Sequence, residues 1–151
     1  RGLGDVYKRQ VMGTNLTGPY ILSCEVARKL MQEKLPGRMV NIASMAAFHT
    51  TAQSAAPLYS ITKKALVRMT ETLAVEWAGR NINVNAIAPG FFSSEMTDGM
   101  LERIGDITPT LNRKRIPTAE QMDSTLLFLL SPSSECVTGT CIKIDDGQMV
   151  R

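Results

Sequence analysis

Tyr59 and Lys63 stand four residues apart in the stretch "YSITK". On a helix that spacing puts both side chains on one face. A free phenol has a pKa of about 10, so about one molecule in a thousand is ionised at neutral pH. Bringing that pKa to about 7 takes roughly 4 kcal/mol. An ammonium about 4 Å away supplies roughly that amount at an effective dielectric of about 20. The pair can therefore give and take a proton near neutrality. Ser44 lies fifteen residues before Tyr59, at the end of the apolar run "RMVNIAS".

The elements that must position these residues alternate in type. "VMGTNLTGPYILSCEVARKLMQE" reads as a helix closed by "LPG", and "RMVNIAS" as a short strand. "LYSITKKALVRMTETLAVEWAGR" reads as a long helix with an apolar stripe of Leu58, Ile61, Ala65, Met69, Leu73 and Trp77. "INVNAIAPG" is a strand ended by Pro89 and Gly90, and residues 91–116 have weak periodicity and read as a mobile excursion. "PTAEQMDSTLLFLLS" opens with a capping box from Thr118 to Gln121, and "CIKID" is the last strand. Strands alternating with helices predict an α/β fold with a parallel sheet, whose carboxyl edge binds ligands. Ser44, the first turns of the long helix and Pro89-Gly90 all fall on that edge.

These motifs, in this order, resemble the short-chain dehydrogenase/reductase family over Val11 to about Gln148, most closely its 3-oxoacyl-carrier-protein reductase-like and sugar- or polyol-dehydrogenase-like members. "YSITK" is similar to the family's catalytic Y-x-x-x-K, "NIAS" to the strand that carries its serine, and "TNLTG" to its helix asparagine. "NAIAPGFFSSEM" is similar to the loop at the nicotinamide end of the cofactor, and "VTGTCIKIDDG" to the terminal strand. The resemblance implies an NAD(P)-dependent oxidoreductase, with NAD or NADP as cofactor and a small carbonyl compound or secondary alcohol as substrate. Tyr59 would exchange the proton, Lys63 would lower the phenol pKa and bond the nicotinamide ribose, and Ser44 would bond the reacting oxygen. Asn15 would hold a water linked to Lys63. Pro19, four residues later, has no N–H for the Asn15 carbonyl, which leaves that carbonyl for a water or marks a simple kink. Pro89, Gly90, Phe92 and Ser94 would touch the cofactor, mostly through backbone groups; Pro-Gly is also an ordinary turn after a strand. Apolar residues off the main stripe of the long helix (Leu66, Val67, Ala74, Val75) fit the family's pairing of this helix across a homodimer or homotetramer interface.

Other features narrow the class. The family's T-G-x-x-x-G-x-G phosphate loop is not built by any of the eleven glycines. The resemblance therefore implies the C-terminal part of a Rossmann-like doubly wound parallel sheet whose first strands are missing. Such a piece is expected to bind cofactor weakly by itself. Residues 5–10, "DVYKRQ", are one reading of the codons GAT GTG TAT AAG AGA CAG, which resemble a transposon end used in preparing DNA libraries. Residues 1–10 are accordingly set aside as an adapter scar, the alternative being a natural basic N-terminus, and residues 11–151 are taken as the catalytic part of one domain.

Arg1, Lys8 and Arg9 against Asp5 give the first ten residues +2 of the total +3, leaving +1 and no basic footprint for nucleic acid. The longest apolar run, "LLFLL", is too short for a membrane span. Three cysteines (Cys24, Cys136, Cys141) without a C-x-x-C point to a reducing, cytoplasmic setting, and no metal set is expected. His49, the one histidine, reads as a loop residue, and Arg113 to Arg115 as a solvated turn. Two other readings stay open: a non-catalytic piece that acts only by association, and an epimerase or dehydratase on the same scaffold.

Overall fold

The computed structural model describes residues 4–50 and 56–149. Helix α1 (Asp5–Met12) runs through a π turn (Gly13–Thr17) into α2 (Gly18–Glu33). Strand β1 (Gly37–Ile42) follows, then a short 3-10 turn (Met45–Ala47), helix α3 (Pro57–Trp77) and strand β2 (Ile82–Pro89). Helix α4 (Glu95–Ile104), helix α5 (Asp123–Leu130) and strand β3 (Cys141–Ile144) complete the order. The three strands form one parallel sheet in the order β1-β2-β3, with Ile42 beside Ile87 and Ile87 beside Ile142. This is the α/β class with a parallel sheet expected from the alternation of elements, and β1 is an edge strand of it.

Helix α2 stops where Lys34 takes the left-handed conformation (φ 56°) and Leu35 N–H returns to Leu30 O at 2.9 Å. Gly37 then enters β1, where a Cβ would run into the Leu30 side chain. Helix α1 begins inside the ten residues set aside above. None of its residues is buried, and its Lys8–Asp5 pair is exposed, so it adds a helical turn and no core.

Helix α3 supplies the centre of the core. Leu66, Met69, Leu73, Ala74 and Trp77 pack with Ala27 of α2 and with Ile82 and Val84 of β2. Val67 joins a second cluster with Ala43, Met45, Ala86 and Ala88, next to the carboxyl ends of the strands. Full burial of each Leu-sized side chain contributes about 2 kcal/mol. Met69, Leu73 and Trp77 of the expected stripe are buried, but the buried face is broader than that stripe and departs from it at the start of the helix. Ile61 is 62% exposed, whereas Thr62 and Thr70 are fully buried. Both threonines are satisfied: Thr62 donates to Tyr59 O at 2.8 Å and Thr70 to Leu66 O at 2.9 Å. Thr70 also accepts from Asn41 of β1 at 2.9 Å. Leu66, Val67 and Ala74, expected at a subunit surface, are core residues; of that group Val75 is exposed.

A buried asparagine ties the later loops to β2. Asn85 donates to Val137 O at 2.8 Å and accepts from Thr140 N–H at 3.2 Å. The Thr118 capping box is present, with Thr118 N–H on Gln121 Oε1 at 3.0 Å, and it opens the 3-10 turn (Ala119–Met122) that leads into α5. The excursion after β2, expected to be irregular, contains α4.

Candidate functional site

Pro57 opens α3, which puts Tyr59 and Lys63 in its first two turns. Both side chains are half-buried. Lys63 Nζ lies 5.7 Å from the centroid of the Tyr59 ring, so the two share a face as their spacing requires. The same ammonium donates to Ile42 O, the last residue of β1, at 2.8 Å. Burial lowers the Lys63 pKa below the ordinary lysine value. One N–H of three goes to Ile42, and the ammonium keeps two further donors.

Ser44 sits two residues beyond that carbonyl, in extended backbone, and caps the 3-10 turn by accepting Ala46 N–H at 3.1 Å. Two residues on, Ala46 O accepts from Ser60 Oγ at 2.6 Å. Ser44 is thus bracketed by two tethers, Ile42 to Lys63 and Ala46 to Ser60, whose helix ends lie four and one residues after Tyr59. The hydroxyl of Ser44 is held at the same end of α3 as the phenol and the ammonium.

Asn15 belongs to the π turn, where Gly18 N–H reaches back five residues to Gly13 O. Such turns recur at functional sites because they re-aim side chains. A Cβ on Gly18 would lie 3.0 Å from Gly13 O, so glycine suits the tight path. The Asn15 amide donates to Thr62 Oγ1 at 3.1 Å. Through Thr62, which bonds Tyr59 O, the π turn is attached to the helical turn that carries Tyr59 and Lys63.

The other side of the site starts where β2 ends at Pro89. Gly90 N–H donates to Ile144 O at 2.8 Å, and a Cβ there would lie 2.9 Å from Asp145 Cβ. The Phe92 side chain is 6% exposed, which leaves its backbone as the part that can meet a ligand. Ser94 caps α4, accepting Thr97 N–H at 3.2 Å and donating to Thr97 Oγ1 at 3.1 Å. Ser93 N–H on Pro117 O at 2.9 Å closes the neck of the excursion.

Several participants were not visible in the motifs. The Gln148 amide grips both backbone groups of Phe91. The Arg113 to Arg115 run is an exposed turn, as expected, with a partner the sequence did not reveal. Arg113 and Arg115 both bond Asp146, at 2.8 Å and at 2.7 and 2.9 Å, so they anchor the excursion to the turn after β3. Asn112 Nδ2 adds a bond to Gly147 O at 2.6 Å. Arg115 beside Asp146 holds that carboxyl below the usual carboxylate range. No periodicity marks these contacts, because each joins segments more than thirty residues apart. A cavity of about 430 Å³ opens here between Phe92, Arg115, Pro117, Lys143 and Asp146; Tyr59, Lys63 and Ser44 do not line it.

His49 is half-buried at the end of the 3-10 turn, with its N–H on Met45 O at 3.0 Å. Among the described residues, no three His, Cys, Asp or Glu side chains gather in a way that could hold a metal. No described helix is long and apolar enough to cross a membrane.

Residues 6–149 match the family model described as Enoyl-(Acyl carrier protein) reductase. The chain is 35% identical over 152 residues to galactitol 2-dehydrogenase (L-tagatose-forming) of Cereibacter sphaeroides, covering 97% of this chain and 58% of that protein. It is 34% identical over 139 residues to the 3-oxoacyl-[acyl-carrier-protein] reductase of Aquifex aeolicus, covering 91% and 55% respectively. A solved 4-hydroxyisoleucine dehydrogenase mutant, complexed with NADH and succinate, superposes with a TM-score of 0.86 at 30% identity, covering 97% of this chain and 60% of that one. The chain therefore spans a little over half the length of the curated relatives it matches.

Proposed function

This chain belongs to the short-chain dehydrogenase/reductase family, and we propose that residues 11–151 form the catalytic part of an NAD(P)-dependent oxidoreductase domain. The reaction moves a hydride between a nicotinamide and a small carbonyl compound or secondary alcohol. One observation carries this reading. The Lys63 ammonium lies on the Tyr59 face of α3 and is fixed to the end of β1 at 2.8 Å, beside Ser44.

The residues present fit the nicotinamide end of the cofactor. Lys63 keeps donors free for ribose hydroxyls, and the Pro89–Ser94 backbone lies at the same carboxyl edge of the sheet. Matching structures were solved with NADH and with NADP bound, which supports either cofactor. When bound, the reduced nicotinamide supplies the hydride to the carbonyl carbon. Tyr59 gives its phenolic proton to the carbonyl oxygen, and the product is a secondary alcohol. The Lys63 cation favours the phenolate that remains, and in the oxidative direction that phenolate takes the proton back. Ser44 donates to the reacting oxygen and aligns it with the phenol. Asn15 holds the π turn against Thr62, where a water at its backbone would connect Lys63 to solvent.

The named relatives act on a polyol and on a 3-oxoacyl carrier-protein thioester, which makes these the substrate classes to test first. Tyr20, Ile21, Leu22 and Val26 of α2 are exposed, as are Ile61 and Val75 of α3. That apolar surface supports homodimer or homotetramer formation by the complete protein, and it also favours the rival reading of a non-catalytic association module. The three free cysteines support a reducing, cytoplasmic setting.

The deciding experiment follows oxidation of NADH and NADPH by the complete protein with a ketose and a 3-oxoacyl thioester. Tyr59→Phe is expected to lower kcat by about a thousandfold, the range of a positioned proton donor. Cofactor affinity should change less than about twofold. A Tyr59→Phe variant with undiminished turnover would remove Tyr59 from this role. A wild-type protein that associates but turns over none of these compounds would favour the association reading.

A further inference from the structure

We propose that Gln148 is a positioning residue for the nicotinamide end of the cofactor: its side-chain amide fixes Phe91 and so sets the path of the 89–94 loop. The inference rests on the oxidoreductase reading above. Oε1 of Gln148 accepts Phe91 N–H at 2.7 Å, and Nε2 donates to Phe91 O at 2.9 Å. One primary amide thus satisfies both backbone groups of a loop residue, as a neighbouring strand would.

The need for such a clamp follows from the register. β2 ends at Pro89, and Gly90 N–H on Ile144 O is the final backbone bond to the β3 side. Ser93 is next fixed, by Pro117. Phe91 falls between these anchors, and Gln148 supplies the missing rung. Gly90 leaves room for the amide, because a Cβ there would occupy the space of Gln148 Oε1.

The clamp is itself held firmly. Gln148 N–H donates to Asp145 O at 2.8 Å. The buried Asp145 carboxylate accepts Gly147 N–H at 3.2 Å and Met149 N–H at 3.3 Å. Asp146 stands in the left-handed region (φ 51°) with Arg113 and Arg115 on its carboxylate. The turn therefore presents the amide from a fixed base. The acceptor-and-donor fork belongs to a primary amide. A carboxylate in its place accepts Phe91 N–H but meets Phe91 O with like partial charge.

The test compares wild type, Gln148→Ala and Gln148→Glu in the complete protein, titrated with NADH or NADPH and with the matching ADP-ribose, which lacks nicotinamide. Both variants are expected to weaken the reduced cofactor about tenfold while ADP-ribose affinity holds within about twofold. Equal weakening of both ligands would make Gln148 a general structural residue and overturn the proposal, as would no change in either. Should Gln148→Ala fail to fold, Gln148→Glu and amide exchange at Phe91 in the wild type decide. Fast exchange of Phe91 N–H in the folded protein would show that the clamp is absent. Failure of the wild type to bind any nicotinamide cofactor would instead strike at the oxidoreductase reading itself.

Discussion

Tyr59 and Lys63 ride on a helix whose inner face is buried against the sheet, whereas the 89–94 loop leaves the end of β2 and is steadied by a turn far along the chain. The first side is held mostly by apolar burial: Leu66, Leu73 and Trp77 are each at most 6% exposed, and they lie on the same helix as Tyr59 and Lys63. The second side is held mainly by hydrogen bonds and ion pairs, from Gln148, Ile144 and Pro117 to the loop and from Arg113 and Arg115 to the turn. Apolar burial is contiguous and fixes a reacting group within a narrow range of positions. Single polar clamps can open one at a time. The difference fits a division of labour in which the proposed proton-transfer groups stay fixed and the loop proposed to meet the cofactor can be released.

The largest effect expected from this contrast is on the helix side. Leu73→Ala in the complete protein should cost about 2 to 5 kcal/mol in thermal or denaturant unfolding, as a buried leucine leaving a cavity does. The loss should be global, with α3, β2 and the 89–94 loop unfolding together. A cost below about 1 kcal/mol would mean that the α3–β2 core does not hold the site as described.

The two sides also differ in how far the sequence reveals them. Periodicity located α3 and β2, and the capping chemistry at Thr118 located the 3-10 turn that leads into α5. The Y-x-x-x-K spacing brought Tyr59 and Lys63 to one face, where the structure has them. The stripe of α3 was right at Met69, Leu73 and Trp77 and misread at Ile61, because Thr62 and Thr70 are buried through hydrogen bonds, which a count of apolar residues does not register. The π turn at 13–17 was legible only as a disturbance near Pro19. The loop side was legible at Pro89 and Gly90 as a turn, but its clamps were not. Phe91 and Gln148 are separated by 57 positions, and a glutamine after a glycine carries no local signal for the bond it makes. Likewise Arg113 and Arg115 look like a solvated basic run until the left-handed turn at Asp146 brings a carboxylate to them.

A smaller and more local effect is expected at the loop. Gly90→Ala puts a methyl group where the Gln148 amide and Asp145 now pack. The amide can rotate away but Asp145 Cβ at 2.9 Å and Cα at 3.1 Å cannot, so the clamp opens and the start of the 145–148 turn gives slightly as well. The melting temperature should shift by no more than about 4 °C. Amide exchange at 91–93 should accelerate while α3 keeps its protection. Affinity for the reduced cofactor should fall about tenfold. If exchange accelerates in α3 as well, the two sides are one cooperative unit and the contrast between them fails.

The smallest effect is expected where the charges are most exposed. Arg113 and Arg115 are 64% and 49% exposed at their side chains while Asp146 is 10% exposed, so their pairing is partly screened by water. Asp146→Asn removes the charge and keeps a residue that tolerates the left-handed φ of 51°. The Asp146 pKa is lowered first by its bond to Arg115, against an ordinary value of 3.8. A lowered carboxylate pKa contributes stability above the ordinary value and loses it as pH falls through the lowered one. Wild type should therefore melt slightly above Asp146→Asn at neutral pH. The gap should close in acid below 3.8 and narrow in molar salt. A gap of constant size from neutral to acid pH would assign the hold on the 145–148 turn to packing, and the loop side would then be built like the helix side.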